Sequence, residues 1–227
     1  MEGPPAKKFK KNYEYFDENR GAKAINISVN FETDSHGKPH RHLPRHVNSS
    51  VTDKRFTIPA SFNYSSKITL AVVERILEDA HARRNQPQVI ILILGGNNLR
   101  SNPGLDPPND QTPHGVAELF RNLLEGCSKV PKCWVIIVGL IPDAGNQECK
   151  DRFIEAGRHL RNISKGFKSM CSYLDPRGVF FKNGNLLNEL YDINDGYHGV
   201  HLNSLGSEVL AKNIHKHLKT IPNRFFL

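Results

Sequence analysis

The chain has no apolar run of membrane-spanning length. Its most hydrophobic stretch, Val89 to Leu94, is only as long as a strand, against the about 18 residues a bilayer requires. No apolar segment follows the basic N-terminal sequence MEGPPAKKFKKNYEYF, so the chain reads as lacking a secretory leader and as intracellular, cytoplasmic or nuclear. Cysteine is sparse: Cys127, Cys133, Cys149 and Cys171 form no C-x-x-C pair and no Cys/His set with zinc-finger spacing. They read as reduced thiols, not as a disulfide framework or a metal site. Neither G-x-x-x-x-G-K-[ST] nor G-x-G-x-x-G occurs, so the glycine loops that cradle nucleotide phosphates are missing. His36, His40, His42 and His46 lie close in sequence but lack the cysteine or acidic partners that a zinc site recruits. No cofactor or metal is expected, and no internal repeat is visible.

What the chain does have is ordinary globular composition over 227 residues, enough for one substantial core. The formal net charge is +8. Part of it is concentrated at Lys7, Lys8, Lys10 and Lys11, and part at Lys38, Arg41, His42, Arg45 and His46. Such a balance attracts phosphate-rich partners, which makes Lys38, Arg41 and Arg45 candidate nucleic-acid contacts; simple solubility explains the same charge. Residues 1–22, rich in Lys, Pro and Gly, read as a flexible arm, and residues 23–227 as a single domain.

Along that domain, strand and helix patterns alternate. Ala24 to Phe31 alternates apolar and polar residues. Residues 38–50 suggest a short helix broken at Pro44, and Phe56 to Pro59 a second strand. Ile68 to Arg84 has helical spacing, and QVIILIL from Gln88 to Leu94 reads as a strand buried on both faces. Val116 to Leu124 and Arg152 to Phe167 are predicted helices, with the buried strand Trp134 to Leu140 between them. Tyr173 to Leu174 or Val179 to Phe181 supplies the next strand. A last helix begins near Ser204, with Ser204 as a candidate N-cap, and runs to about Leu218. Strands alternating with helices imply a three-layer α/β sandwich with a mostly parallel central sheet. In such sheets functional groups gather beyond the carboxyl ends of the strands.

Three unusual segments fall at such ends or just before a helix. They are Thr33-Asp34-Ser35-His36-Gly37, Gly95-Gly96-Asn97-Asn98, and Asp195-Gly196-Tyr197-His198-Gly199-Val200-His201-Leu202-Asn203-Ser204-Leu205-Gly206. In this order they resemble the Gly-Asp-Ser, Gly-x-Asn-Asp and Asp-x-x-His blocks of the SGNH/GDSL hydrolase superfamily; animal retroelements carry esterase domains of this style, a subgroup that the basic arm loosely resembles. The resemblance covers about residues 24–218 and implies a flavodoxin-like three-layer fold and a serine esterase acting on a small ester or acetyl group. It assigns Ser35 as nucleophile and His201 as base, and an oxyanion hole at Asn97 with the backbone around Gly95 and Gly96. That chemistry needs those residue types: a serine hydroxyl attacks only once a base takes its proton, a carboxylate orients the base, and amide donors hold the developing oxyanion. The blocks also depart from the family pattern. Thr33 replaces a glycine, Asn98 replaces an aspartate, and no glycine stands in Ala60 to Ser66 where a further backbone donor is expected. Three residues before His201 stands His198, not Asp, and three before His198 stands Asp195. Either His201 is the base, with the carboxylate lost or supplied by Asp195 across an insertion, or Asp195 and His198 form the pair; the residues after His201 favour the first. A catalytically weakened scaffold that binds RNA or DNA through its basic surface is the alternative function.

Overall fold

The computed structural model describes residues 26–38, 41–100, 109–144, 147–194 and 199–226. The basic arm, Asp195 and His198 lie outside the described residues. The central sheet contains β1 (Ile27–Thr33), β2 (Phe56–Thr57), β3 (Asn63–Tyr64), β4 (Gln88–Ile93), β5 (Cys133–Val138) and β6 (Cys171–Leu174). Its order is β2-β1-β4-β5-β6, with β3 also paired to β1, and every pairing is parallel. The helices are α1 (His42–Ser50), α2 (Leu70–Ala82), α3 (Gly96–Arg100), α4 (Pro113–Cys127), α5 (Gln147–Gly166), α6 (Arg177–Phe180) and α7 (Ser204–Thr220); a two-stranded hairpin, β7 (Phe181–Lys182) with β8 (Asn185–Leu186), lies outside the sheet.

Alternation along the strands builds the layers. Ile90, Leu92, Val135 and Ile137 pack into one core with residues of α2, α4 and α5. Their neighbours Val89, Ile91, Ile93, Trp134, Ile136 and Val138 join Ile27, Val29 and Phe31 in a second core under α1 and α7. Each strand residue thus buries a side chain on one face or the other, so β4 and β5 are apolar throughout. The face of β1 toward α2 is polar instead. Arg83 donates to Asn30, and Arg75 holds the buried Glu32 at 2.6 Å.

Local chemistry sets the helix starts. Thr69 caps α2, Thr112 caps α4 with Pro113 in its first turn, and Asn203 caps α7 through the amide of Gly206 at 3.0 Å. Two expectations are corrected here. Pro44 does not break a helix: it is the third residue of α1, where a missing N–H costs nothing because no carbonyl of the first turn awaits it. Ser204 is not the cap of α7; Asn203 is, and its amide also donates to the carbonyls of Glu189 at 2.7 Å and Tyr191 at 3.2 Å. Of the two alternatives for the strand after α5, the sheet uses the segment containing Tyr173 and Leu174, while Phe181 enters the small hairpin. Among the described residues no helix is long and apolar enough to cross a membrane.

Candidate active site

The three segments meet at the carboxyl end of the sheet. β1 delivers Asp34 and Ser35 as it passes into a one-turn 3-10 helix, Ser35–Gly37. The Asp34 amide still bonds to the Ile93 carbonyl of β4 at 2.9 Å, so the turn is anchored to the sheet. Gly37 is required there: a Cβ on it would fall 1.7 Å from Thr33 Oγ1. Thr33 itself, where the family pattern has glycine, donates its hydroxyl to the Asn63 carbonyl at 3.1 Å. Thr33 and Gly37 are therefore complementary, the hydroxyl filling the space that the glycine leaves.

His201 arrives from the other side of the sequence. A short antiparallel bridge, Tyr191 to Leu202, and a 2.8 Å bond from the Asp192 amide to the His201 carbonyl fix its backbone just before α7. Gly206 seats the helix start, because a Cβ there would stand 2.1 Å from the Leu190 carbonyl oxygen. The outcome is a direct contact: His201 Nε2 lies 2.8 Å from Ser35 Oγ. Both residues are buried, 4% and 8% exposed. The amide of Ser35 opens the 3-10 turn, where an N–H has no intrahelical acceptor, which is the position an oxyanion donor needs.

Asn97 stands on the first turn of α3 at the end of β4. Arg100 donates to its Oδ1 at 2.7 Å, which fixes the orientation of the amide, and one Nδ2 hydrogen goes to the Ser66 carbonyl at 2.7 Å. Arg100 is itself set between Asp143, 3.3 Å from its Nε, and the ring of Phe153, 5.4 Å away. Gly95 has φ +99°, a left-handed conformation that glycine adopts without strain. At Gly96 a Cβ would meet Arg100 Nη1 at 3.2 Å and Asp34 Oδ2 at 3.5 Å, so its absence lets those charges approach. Asn98 is a buried clamp: it accepts from the Ile68 amide and donates to the Ile68 and Asp110 carbonyls at 3.0, 2.9 and 2.8 Å. A carboxylate could not make the two donations, which accounts for Asn where the family pattern has Asp.

Two neighbours of the site were not assigned to it from sequence: His36, and Arg41, which was read as a candidate nucleic-acid contact. His36 Nδ1 lies 2.6 Å from Asp34 Oδ1, and the same carboxylate oxygen accepts the His36 amide at 3.1 Å. Burial pushes the Asp34 carboxyl up, but the His36 ring, its hydrogen bonds and the charge of Arg100 outweigh it and hold the group below the usual carboxylate range. His36 Nε2 is buried without a hydrogen-bond partner, beside a small pocket lined in part by Asp34, Leu94, Gly96 and Gly139. The second group is Arg41, whose Nη2 lies 3.0 Å from His201 Nδ1. Sequence could have suggested His36 only through its spacing to Asp34; nothing flags Arg41 as a neighbour of a residue 160 positions away. Of the other basic candidates, Lys38 lies over the Tyr64 ring and Arg45 is exposed. Among the described residues no group of three or more His, Cys, Asp or Glu is placed to hold a metal ion.

No protein-family model and no curated protein matches the sequence. Solved structures match the fold. The chain is similar to Axe2, an acetylxylan esterase from Geobacillus stearothermophilus, with TM-score 0.64 and 15% identity over 88% of this chain and 98% of that one. It is also similar to a member of the lipolytic G-D-S-L family from Veillonella parvula (TM-score 0.62, 15% identity, 86% and 100% covered). A GDSL-like lipase from Bacteroides thetaiotaomicron matches with TM-score 0.58 and 14% identity over 86% and 88% of the two chains. The mostly parallel six-stranded sheet with helices on both faces is thus the α/β fold of the SGNH/GDSL esterases.

Proposed function

We propose that the protein is a serine ester hydrolase acting on a small ester or acetyl group, with Ser35 as nucleophile and His201 as its acid–base partner. The observation that carries this reading is the 2.8 Å contact between Ser35 Oγ and His201 Nε2 at the carboxyl end of a parallel sheet. In the reaction His201 Nε2 takes the Ser35 hydroxyl proton as Oγ bonds to the acyl carbon. The ester C–O bond breaks and the leaving alkoxide takes that proton back. A water then repeats the sequence in reverse, its proton passing through His201 to Ser35 as the acid departs. The Ser35 amide and the oriented amide of Asn97 support the oxyanion role, worth about 100- to 1000-fold per donor. The net charge of +8 is the support for the alternative, nucleic-acid binding.

Hydrolysis of a short-chain p-nitrophenyl ester by wild type and Ser35→Ala, prepared identically, tests the assignment. The expected result is a loss of at least about 1000-fold in kcat. Equal rates in the two proteins would remove Ser35 from the role.

A further inference from the structure

The serine and histidine do not account for all of the carboxyl end of the sheet. Beyond β5 and β6 a second cleft lies between the strand ends and α5, walled by Leu140, Phe153, Ile154, Tyr173 and Pro176. It adjoins the candidate active site through two side chains. Leu140 also lines the small pocket beside Asp34 and His36. Phe153 carries on its ring, 5.4 Å away, the guanidinium of Arg100 that orients Asn97.

Three features set the cleft apart from a packing defect. Gly157 lines it from the middle of α5, where glycine is a poorer helix former than alanine. A Cβ there would meet Tyr173 Oη at 3.4 Å, an ordinary contact, and nothing nearer, so the backbone does not demand the glycine. What the missing side chain leaves is room in the cleft. The second feature is the Tyr173 hydroxyl itself. Burial, and then the charge of Asp175, push its pKa up, so it stays a neutral donor and adds no negative charge. The third is a cationic rim, formed by Lys150 and Arg177 with Asp175. Asp175 is held by Arg177 at 2.8 Å and by Arg161 at 3.3 Å, so one carboxylate already faces two guanidiniums. The positions three and four away from Lys150 are Asn146, Gln147, Phe153 and Ile154, which offer its ammonium no acid along the helix.

We propose that this cleft binds a compact apolar carboxylic acid, its apolar body between Phe153, Ile154 and Pro176 and its carboxylate at Lys150. The walls take the body out of water, and the ammonium gives the carboxylate a charge-assisted hydrogen bond. Lys150 to Gly157 spans two turns of helix, about 10 Å, which suits an acid with a single aromatic ring. The carboxyl ends of strands are where ligands gather in an open parallel sheet. The acid is either a part of the substrate or a free acid that binds beside the ester. The substrate half of this inference rests on the esterase reading; the acid site does not.

Chemical-shift titrations of the ¹⁵N-labelled protein with phenylacetate, and with phenylacetamide of the same shape and no charge, test the site without reference to activity. Phenylacetate is expected to bind the wild type about tenfold more tightly than the amide, and Lys150→Met to remove that difference. Gly157→Leu, which fills the cleft, is expected to weaken both ligands at least about tenfold. Equal affinities for acid and amide in the wild type, or no saturable shift with either, overturn the proposal. So does wild-type affinity in Gly157→Leu. Lys150 is only partly buried, so a poorly folding Gly157→Leu leaves the charge test intact. In kinetics, the ratio of kcat/KM for 4-(carboxymethyl)phenyl acetate to that for 4-methylphenyl acetate is expected to fall about tenfold in Lys150→Met if the acid belongs to the substrate. A change in phenyl acetate hydrolysis on adding phenylacetate, seen in the wild type and lost in Lys150→Met, identifies the free acid instead. Neither effect, in an enzyme that cleaves these esters, overturns the link to the reaction. Binding of phenylacetate with no ester cleaved upholds the acid site and removes the esterase reading.

Discussion

His36 and His201 are both buried and their rings meet edge to face, 5.8 Å apart, yet the described partners of their ring nitrogens differ. His36 Nδ1 rests on the carboxylate of Asp34, and its Nε2 has no partner. His201 Nδ1 rests on the guanidinium of Arg41, and its Nε2 meets the serine. His36 has a carboxylate at one ring nitrogen and no partner at the other; His201 meets the serine at one nitrogen and has Arg41 among its neighbours at the other. The difference teaches that finding a histidine on a serine is half of an assignment, because the group at the second nitrogen decides whether the first gives or takes a proton.

The comparison can be broken most directly by kinetics. His201→Gln, which retains a polar group near Nε2 but no base, is expected to lose about 10³- to 10⁴-fold in kcat. His36→Asn, which keeps an N–H for Asp34 and deletes Nε2, is expected to lose less than about tenfold, since that nitrogen touches nothing that reacts. Equal losses would give His36 a share of the proton transfer and erase the division between the two.

Stability sharpens it next. Asp34→Ala removes both the cap of the 3-10 turn and the acceptor of a buried ring N–H, and is expected to cost about 3 kcal/mol in urea unfolding. The sign of the pH dependence follows from the lowered Asp34 pKa. The folded protein binds its proton less readily than the unfolded chain does. The contribution is therefore complete above the unfolded value of about 4 and is lost as pH falls through the lower folded value. Wild type should lose stability over that acid interval, and Asp34→Ala should be flatter there. A variant as steep as wild type would mean another carboxylate sets the acid limb. The smallest effect is expected for His36→Asn, about 1 kcal/mol, read from the same urea midpoints, because the bond to Asp34 survives the change.

Much of this arrangement was legible in the chain. QVIILIL announces a strand buried on both faces, and the segments around Ser35, Asn97 and His201 fall at strand ends or before a helix, as their spacing predicts. What escaped the sequence depends on tertiary placement. Pro44 reads as a breaker until its position within the first turn of α1 is known. Asn203 and Ser204 are adjacent residues that both cap well, and only the backbone chooses between them. Asn98 reads as a defect until the Ile68 and Asp110 carbonyls appear beside it. Arg41 reads as surface charge, because no local pattern reveals that the helix it precedes packs against α7.

The four cysteines, scattered over α4, β5, α5 and β6, converge in the core beneath α2, α4 and α5. Burial and the neighbouring Cys127 push the Cys171 thiol up to about 12. All four sulfurs are buried, so a thiol reagent reaches them only when that core parts. The native chain thus carries its own stopwatch for opening, and the rate at which its sulfurs become labelled counts how often one layer lifts from the sheet while the serine and histidine side of the molecule goes unmarked.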